Sequence, residues 1–230
     1  MNDKFIQLLE RNENHAEELE GSFEEVQGGQ SPHLVTVCCS DSRVLQNHAL
    51  GNDELGEVFT VSNIGNRVDH ERDGDEVVSG DMIYPVTHTD TDTMVVMGHT
   101  GCGAVTATYQ NVQGELDYEA EPAGIQEAVD RLQPYIEEGV GELPEGLSED
   151  EAVNHLVEYN VDKQVEFLQE SDDVPEGVDV VGMVYDLHNV YENGNHGHVY
   201  ITNVNGENSV KNLRENYSKV EYKIDRLWEP

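Results

Sequence analysis

"LVTVCCSDSRV", Leu34 to Val44, opens as a run of apolar and β-branched residues and closes on two serines, an aspartate and an arginine. A short run that is apolar at consecutive positions suits a strand buried on both faces, as in parallel sheets. It ends on Cys38 and Cys39, and the chain's third and last cysteine lies in "GHTGCGA", Gly98 to Ala104, directly after a second such run, "TMVVM". In open α/β sheets, ligands collect at the carboxyl ends of strands. Two strand ends therefore carry thiols that can meet in one site.

Working outward, Phe5, Ile6, Leu8, Leu9, Ala16 and Leu19 recur at helical spacing and predict an N-terminal helical arm over residues 1–28. "GGQSPH" reads as a turn, and "EVFTVSNIGNR" as a strand ending in a Gly/Asn loop. "GDEVVSGDMIYPVTHTD" is expected to start as a helix that Pro85 bends or ends. After "TMVVMGH" comes a helical "AVTATYQNV", then an acidic region from Glu115 to Asp150 whose helices Pro122, Pro134 and Pro144 should break. "EDEAVNHLVEYNVDKQVEFLQES" is a long amphipathic helix, and "VDVVGMVYDLHNVYENGNHGHVYITNVNG" is a strand running into a hairpin. Strands alternating with helices predict an α/β fold. The expected architecture is a mainly parallel central sheet of about four or five strands flanked by helices, with the N-terminal arm and a C-terminal hairpin, in a single domain spanning 1–230.

Forty-eight acidic residues against twelve basic ones give a net charge of −36 over 230 residues. Such a chain is repelled by nucleic acid and by anionic membranes, and neither is expected as a partner. The acid is spread along the sequence rather than gathered in a tail. Lysine is scarce, which predicts a surface built for concentrated salt, as in a halophilic organism. Three cysteines cannot all pair, so a reducing, cytoplasmic setting is expected. No segment has the apolar length that spans a bilayer.

Two thiolates and one imidazole around an unfilled fourth position are the pattern of a catalytic zinc site, whereas a structural zinc is closed by four protein ligands. His99 and Cys102 reach one ion from a single turn, and Cys39 supplies the third corner. Side chains alternate along a strand, so Cys38 should face the other way, as a small buried hydrophobe. Asp41, two residues past Cys39, can lie beside the open position. Arg43, two further on, can hold that carboxylate through a bidentate pair.

These motifs resemble those of the β-class carbonic anhydrases: Cys39-Ser-Asp41-Ser-Arg43, then His99-Thr-Gly-Cys102. "VFTVSNIGNRV", "YNVDKQVEFLQES" and "VDVVGMVYD" extend the resemblance from about Gln30 to Asp186. It implies one Zn2+ per subunit, held by Cys39, His99 and Cys102, and reversible hydration of carbon dioxide to bicarbonate and a proton. Zinc lowers the pKa of bound water from about 15.7 toward about 7, a figure belonging to carbonic anhydrases with three histidines on the metal. Two thiolates cancel the ion's formal charge, so bound water here should be less acidic. Asp41 would orient the nucleophile and Arg43 would keep Asp41 ionised. The resemblance, with its plant-like branch, further implies a pocket formed by Gln30, Phe59, Tyr84 and the N–H of Gly103, with Phe59 and Tyr84 reaching it from an adjoining subunit of a homodimer or tetramer; Phe59 and Ile64 would give carbon dioxide an apolar lip beside the metal. Thr36 and Ser62 stand where the bicarbonate-inhibited branch has Trp and Arg, so an effector site of that kind is not expected.

His48 is the nearest histidine to the dyad in sequence and the better candidate for a proton shuttle. "NHGHVY", between Gly194 and Tyr200, reads as a hairpin loop. Alternatives are hydrolysis of carbonyl sulfide or carbon disulfide on the same metal, or a zinc-stabilised protein without turnover. A thiol redox protein is disfavoured by the lack of a Cys-x-x-Cys.

The charge makes a direct prediction. Screening shrinks to roughly 3 Å at 1 M salt, so self-repulsion should dominate in dilute buffer and fade in brine. The urea midpoint should rise steeply between low and molar KCl, and a flat salt dependence would remove the idea.

Overall fold

A computed structural model describes residues 2–192 and 194–228. The long apolar runs become strands β1 (Leu34–Cys39), β2 (Val58–Asn63), β5 (Thr93–His99), β6 (Asp179–Asp186) and β7 (His198–Val204), joined in one sheet of order β2-β1-β5-β6-β7. The first four are parallel and β7 returns antiparallel to β6. The hairpin connection between β6 and β7 includes Asn193, which lies outside the described residues.

From β1 the chain crosses to β2 on one side, and from β5 it crosses to β6 on the other. The strand order therefore reverses between β1 and β5, which opens a crevice at their carboxyl ends. Helices α3 (Gly80–His88), α4 (Gly103–Gln113), α5 (Ala123–Glu142) and α6 (Glu149–Glu170) contribute to the main core, with Met82, Val105, Leu132, Ile136 and Leu156 buried. A second, smaller core holds Cys38, Val44, Met97 and Met183, with Leu50 beside the four-residue helix α2 (Gln46–Ala49) packed against it. Helix α1 (Asp3–Glu25) buries no residue, and α7 (Val210–Asn216) anchors the C-terminal segment through the fully buried Leu213.

Two expectations need correcting. Asp75–Val78 is a strand, β4, paired antiparallel with β3 (Asp69–Arg72), and helix α3 begins only at Gly80. The cause is the two-residue turn Asp73-Gly74, both with positive φ (56° and 93°), the backbone that a tight hairpin of right-handed twist requires. Pro134, expected to break a helix, sits inside α5. It removes one N–H, but Leu132 and Ile136 on either side are fully buried, and their packing carries the helix through. Pro85 likewise lies within α3, which ends three residues later at His88.

Glycines set how closely α6 lies on the sheet. A Cβ at Gly98 would come within 2.8 Å of Val157 and 2.9 Å of Val161, and one at Gly182 within 2.7 Å of Val161. Close backbone approach is a main reason for glycine inside a strand. Gly98→Ala should overpack this contact and destabilise the fold by about 1–3 kcal/mol, read as a lower urea midpoint in molar KCl. An unchanged midpoint would mean that α6 is not seated as described.

Candidate metal centre

Cys39 ends β1, His99 ends β5 and Cys102 caps the N-terminus of α4. β1 and β5 pair in register as far as Cys38 and Met97, so the carboxyl ends of both strands open side by side at the crevice. The two sulfurs lie 3.5 Å apart, and with a ring nitrogen of His99 all three donor atoms fall within 4.8 Å of one another. Two sulfurs bound tetrahedrally at ~2.3 Å lie roughly 3.8 Å apart, so the cluster is the right size for one ion. It is the one such group of histidine, cysteine and carboxylate side chains among the described residues.

The donor chemistry fits a cation as well as the spacing does. The ring of His99 is fully buried; Nδ1 faces the carbonyl of Thr100 at 3.1 Å, and Nε2 makes no hydrogen bond. With Nδ1 carrying the proton, Nε2 is left with a lone pair that it can offer to a cation. The Cys39 thiol is lowered to about 5, chiefly because the Cys102 thiol donates to it, against the effect of burial. The Gly65 N–H, 3.3 Å from the Cys39 sulfur, adds to this. Cys102 is pushed well above the ordinary thiol range by that same hydrogen bond and by burial, although the Ala104 and Val105 N–H groups at the start of α4 oppose the shift. Two thiolates cannot crowd together unpaired in a low dielectric, but a divalent cation between them allows both to ionise.

Cys38 takes no part. It is fully buried in the second core and its thiol is raised to about 12, mainly by desolvation, as expected of a side chain on the opposite face.

Asp41 stands at the corner. Its Oδ1 accepts from the backbone N–H and Nε of Arg43 at 2.8 and 2.9 Å, and its Oδ2 from Nη2 at 2.6 Å. Oδ2 is also 3.7 Å from His99 Nε2. Hydrogen bonding from Arg43 holds the Asp41 carboxyl well below the usual carboxylate range. Cys39, Ser40, Asp41, His99, Ile64 and Gly103 border a cavity of about 260 Å³. Its remaining wall is apolar, from Ala104 and Ala107 of α4 and Ile125, Ala128 and Val129 of α5. The sequence reading missed this wall. Spacing at 125, 128, 129, 132 and 136 marks a buried helix face but does not say that part of it borders a cavity. A larger open groove of about 690 Å³, beside Arg67 and Arg131, holds none of the expected site residues.

Gln30, Phe59 and Tyr84 do not border the cavity within a single chain. Gln30 is exposed, and the Phe59 and Tyr84 rings pack 6.2 Å apart, with Tyr84 45% exposed. Thr36 and Ser62 are joined by one side chain: Thr36 Oγ1 donates to Gln46 Oε1 at 2.8 Å, and Gln46 Nε2 donates to Ser62 Oγ at 2.6 Å. His48 is exposed and pairs with Asp53 at 3.4 Å, away from the cavity. His196 lies in the β6–β7 connection, with Nδ1 3.0 Å from the Leu187 carbonyl.

A family profile described as carbonic anhydrase matches residues 34–199. Among curated relatives, "Beta carbonic anhydrase 6, mitochondrial" of Arabidopsis thaliana is 35% identical over 88 residues, which is 37% of this chain and 30% of that protein. The chain matches less than half the length of such curated relatives. Among solved structures, the β-carbonic anhydrase CafA of Aspergillus fumigatus is 28% identical, with a TM-score of 0.70 over 97% of this chain and all of that one. One of two tetrameric β-carbonic anhydrases of Sordaria macrospora shares the fold at a TM-score of 0.71 and 22% identity, covering 87% of this chain and 97% of that one.

If the three donors hold one ion, purified protein should carry about one zinc per chain, and His99→Ala should lower this to below about a tenth while the fold persists in molar KCl. Undiminished zinc in the folded variant, measured by elemental analysis, would place the metal elsewhere.

Proposed function

Because the chain belongs to the carbonic anhydrase family, we propose that it catalyses the reversible hydration of carbon dioxide to bicarbonate and a proton on a zinc ion held by Cys39, His99 and Cys102. The observation that carries the proposal is the Asp41 carboxylate. It is clamped by Arg43 at the corner of the donor cluster and faces a small, largely apolar cavity. A structural metal site has no use for an ionised carboxylate beside an open position. When bound, zinc supplies a Lewis acid that makes water nucleophilic near neutral pH.

The chain's own groups do the rest. Asp41 accepts a hydrogen bond from the attacking water and turns an oxygen lone pair toward the substrate carbon. Arg43 keeps that carboxylate ionised and fixes its direction through two parallel hydrogen bonds. Carbon dioxide is neutral and linear and needs little grip. Ile64, Ile125, Ala128 and Val129 offer an apolar lip, and the Gly103 N–H at the start of α4 can meet an oxygen that gains charge. The oxygen and one hydrogen of the water end in bicarbonate, and the other hydrogen leaves to solvent as the proton.

Self-association, as a homodimer or a tetramer, belongs to the same proposal. Helix α1 buries no residue and leaves Phe5, Leu8 and Leu9 about half exposed, and Phe59 and Tyr84 form a pair of partly exposed rings at the surface. In this reading they complete the pocket of a second subunit, with Gln30 nearby. Membership of the plant-like branch, an origin in concentrated salt and a cytoplasmic site are further parts of the proposal. The −36 charge supports the second of these and three unpaired thiols support the third.

Asp41→Asn separates metal binding from turnover. The amide keeps the shape and should leave zinc bound, but it accepts the water's hydrogen poorly. Stopped-flow hydration of carbon dioxide in molar KCl should fall by about 10²-fold or more. Full activity in the variant would contradict the role of Asp41. An enzyme that consumes carbonyl sulfide but not carbon dioxide would contradict the substrate.

A further inference from the structure

His99 can present Nε2 to the two sulfurs only while its ring is fixed, and the contact that fixes it is to its neighbour. Thr100 is fully buried, and its carbonyl faces His99 Nδ1. Its N–H donates to the Tyr185 carbonyl at 3.1 Å, which ties the loop to the end of β6. Its hydroxyl accepts the Leu187 N–H at 2.9 Å, lies 2.9 Å from His188 Nδ1 and reaches Asp186 Oδ1 at 3.4 Å. A hydroxyl has one hydrogen and two lone pairs. With the hydrogen given to Asp186 and the lone pairs taken by Leu187 and His188, its capacity is filled.

The supports of Thr100 are themselves held. Asp186 is fully buried, and it draws the chain after β6 into a turn. Oδ1 accepts from the His188 and Val190 N–H groups at 3.1 Å each, and Oδ2 from the Tyr191 N–H at 3.2 Å. That turn lays the His188 ring against Gly101, where an added Cβ would meet Cε1 at 2.6 Å. From the other side, Asn154 of α6 accepts the Gly101 N–H at 2.9 Å. Gly101 has a φ of +62°, a left-handed conformation that glycine adopts without strain. The two residues between ligands His99 and Cys102 are thus gripped by the β6 turn and by α6.

We infer that Thr100, braced by Asp186 and His188, is a positioning residue for the metal ligands. It fixes the tautomer and direction of His99 and the span to Cys102 before the ion arrives. The inference rests on the reading of Cys39, His99 and Cys102 as the zinc site. It differs from ordinary packing because what Thr100 contributes is polar and directional. A β-branched apolar side chain of the same size would fill the space yet leave the Leu187 N–H without its partner and remove the side-chain tie between the loop and the β6 turn. Partners of this kind behind a ligating histidine typically change metal affinity 10–100-fold.

The test compares full-length wild type, Thr100→Val, Thr100→Ser and His188→Ala in molar KCl. Zinc affinity is read by competition with a chelator, and ligand geometry by the visible absorption of the cobalt(II)-loaded protein. Thr100→Val should bind zinc about 10–100-fold more weakly, with an altered cobalt spectrum, and Thr100→Ser should restore both. Wild-type affinity and spectrum in a folded Thr100→Val would overturn the inference, as would Thr100→Ser behaving no better than Thr100→Val. Should Thr100→Val not fold, the exposed His188→Ala decides: weaker zinc binding supports the brace and unchanged binding overturns it. A wild-type protein that binds no zinc at all would instead strike the site reading itself.

Discussion

Two sulfurs and an imidazole nitrogen, all buried and all within 4.8 Å of one another, set the constraint on which the rest of the site depends. A bridging proton settles the pair of sulfurs only partly, and His99 Nε2 stays without a hydrogen bond. A divalent cation resolves all three demands at once. Much of the surrounding architecture serves to create and hold this electrostatic tension. Parallel pairing of β1 with β5 brings the ends of two strands together, and the reversal of strand order leaves the crevice between them open. The glycines at 98 and 182 let α6 settle close to the sheet, and from there Asn154 reaches the loop between the ligands.

The charge distribution sharpens the contrast between surface and site. Across a chain of net charge −36, basic side chains are scarce, yet Arg43 is spent on a single carboxylate at the edge of the cavity. The pair is partly open to water, with Arg43 about half exposed, so its value lies in orientation more than in stability. Behind it the cavity wall is built from small alanines and branched aliphatics, which suits a neutral, weakly bound substrate better than an anion.

The sheet was legible because its central strands are buried on both faces, and runs such as "LVTVCC" and "TMVVM" carry that signal without help from context. The cluster that could hold a metal was legible because Cys39 and His99 end those strands and Cys102 follows three residues after His99. What sequence reading mistook was local. "DEVV" has the composition of either a helix start or a strand, and the two-residue Asp73-Gly74 turn before it decides for the strand. Pro134 was given its intrinsic helix-breaking weight, whereas burial of Leu132 and Ile136 overrides it. The apolar wall from α5 and the brace around Thr100 depend on contacts between residues far apart in the chain, such as Thr100 and His188, 88 positions apart. No periodicity or short motif encodes such distances.

X-ray absorption at the zinc edge, on protein purified in molar KCl, tests the central claim most directly because it counts the atoms around the ion. The account predicts two sulfurs at about 2.3 Å and lighter atoms near 2.0 Å, one of them from an imidazole. A shell of oxygens and nitrogens without sulfur, or one closed by four sulfurs shared between chains, would contradict it.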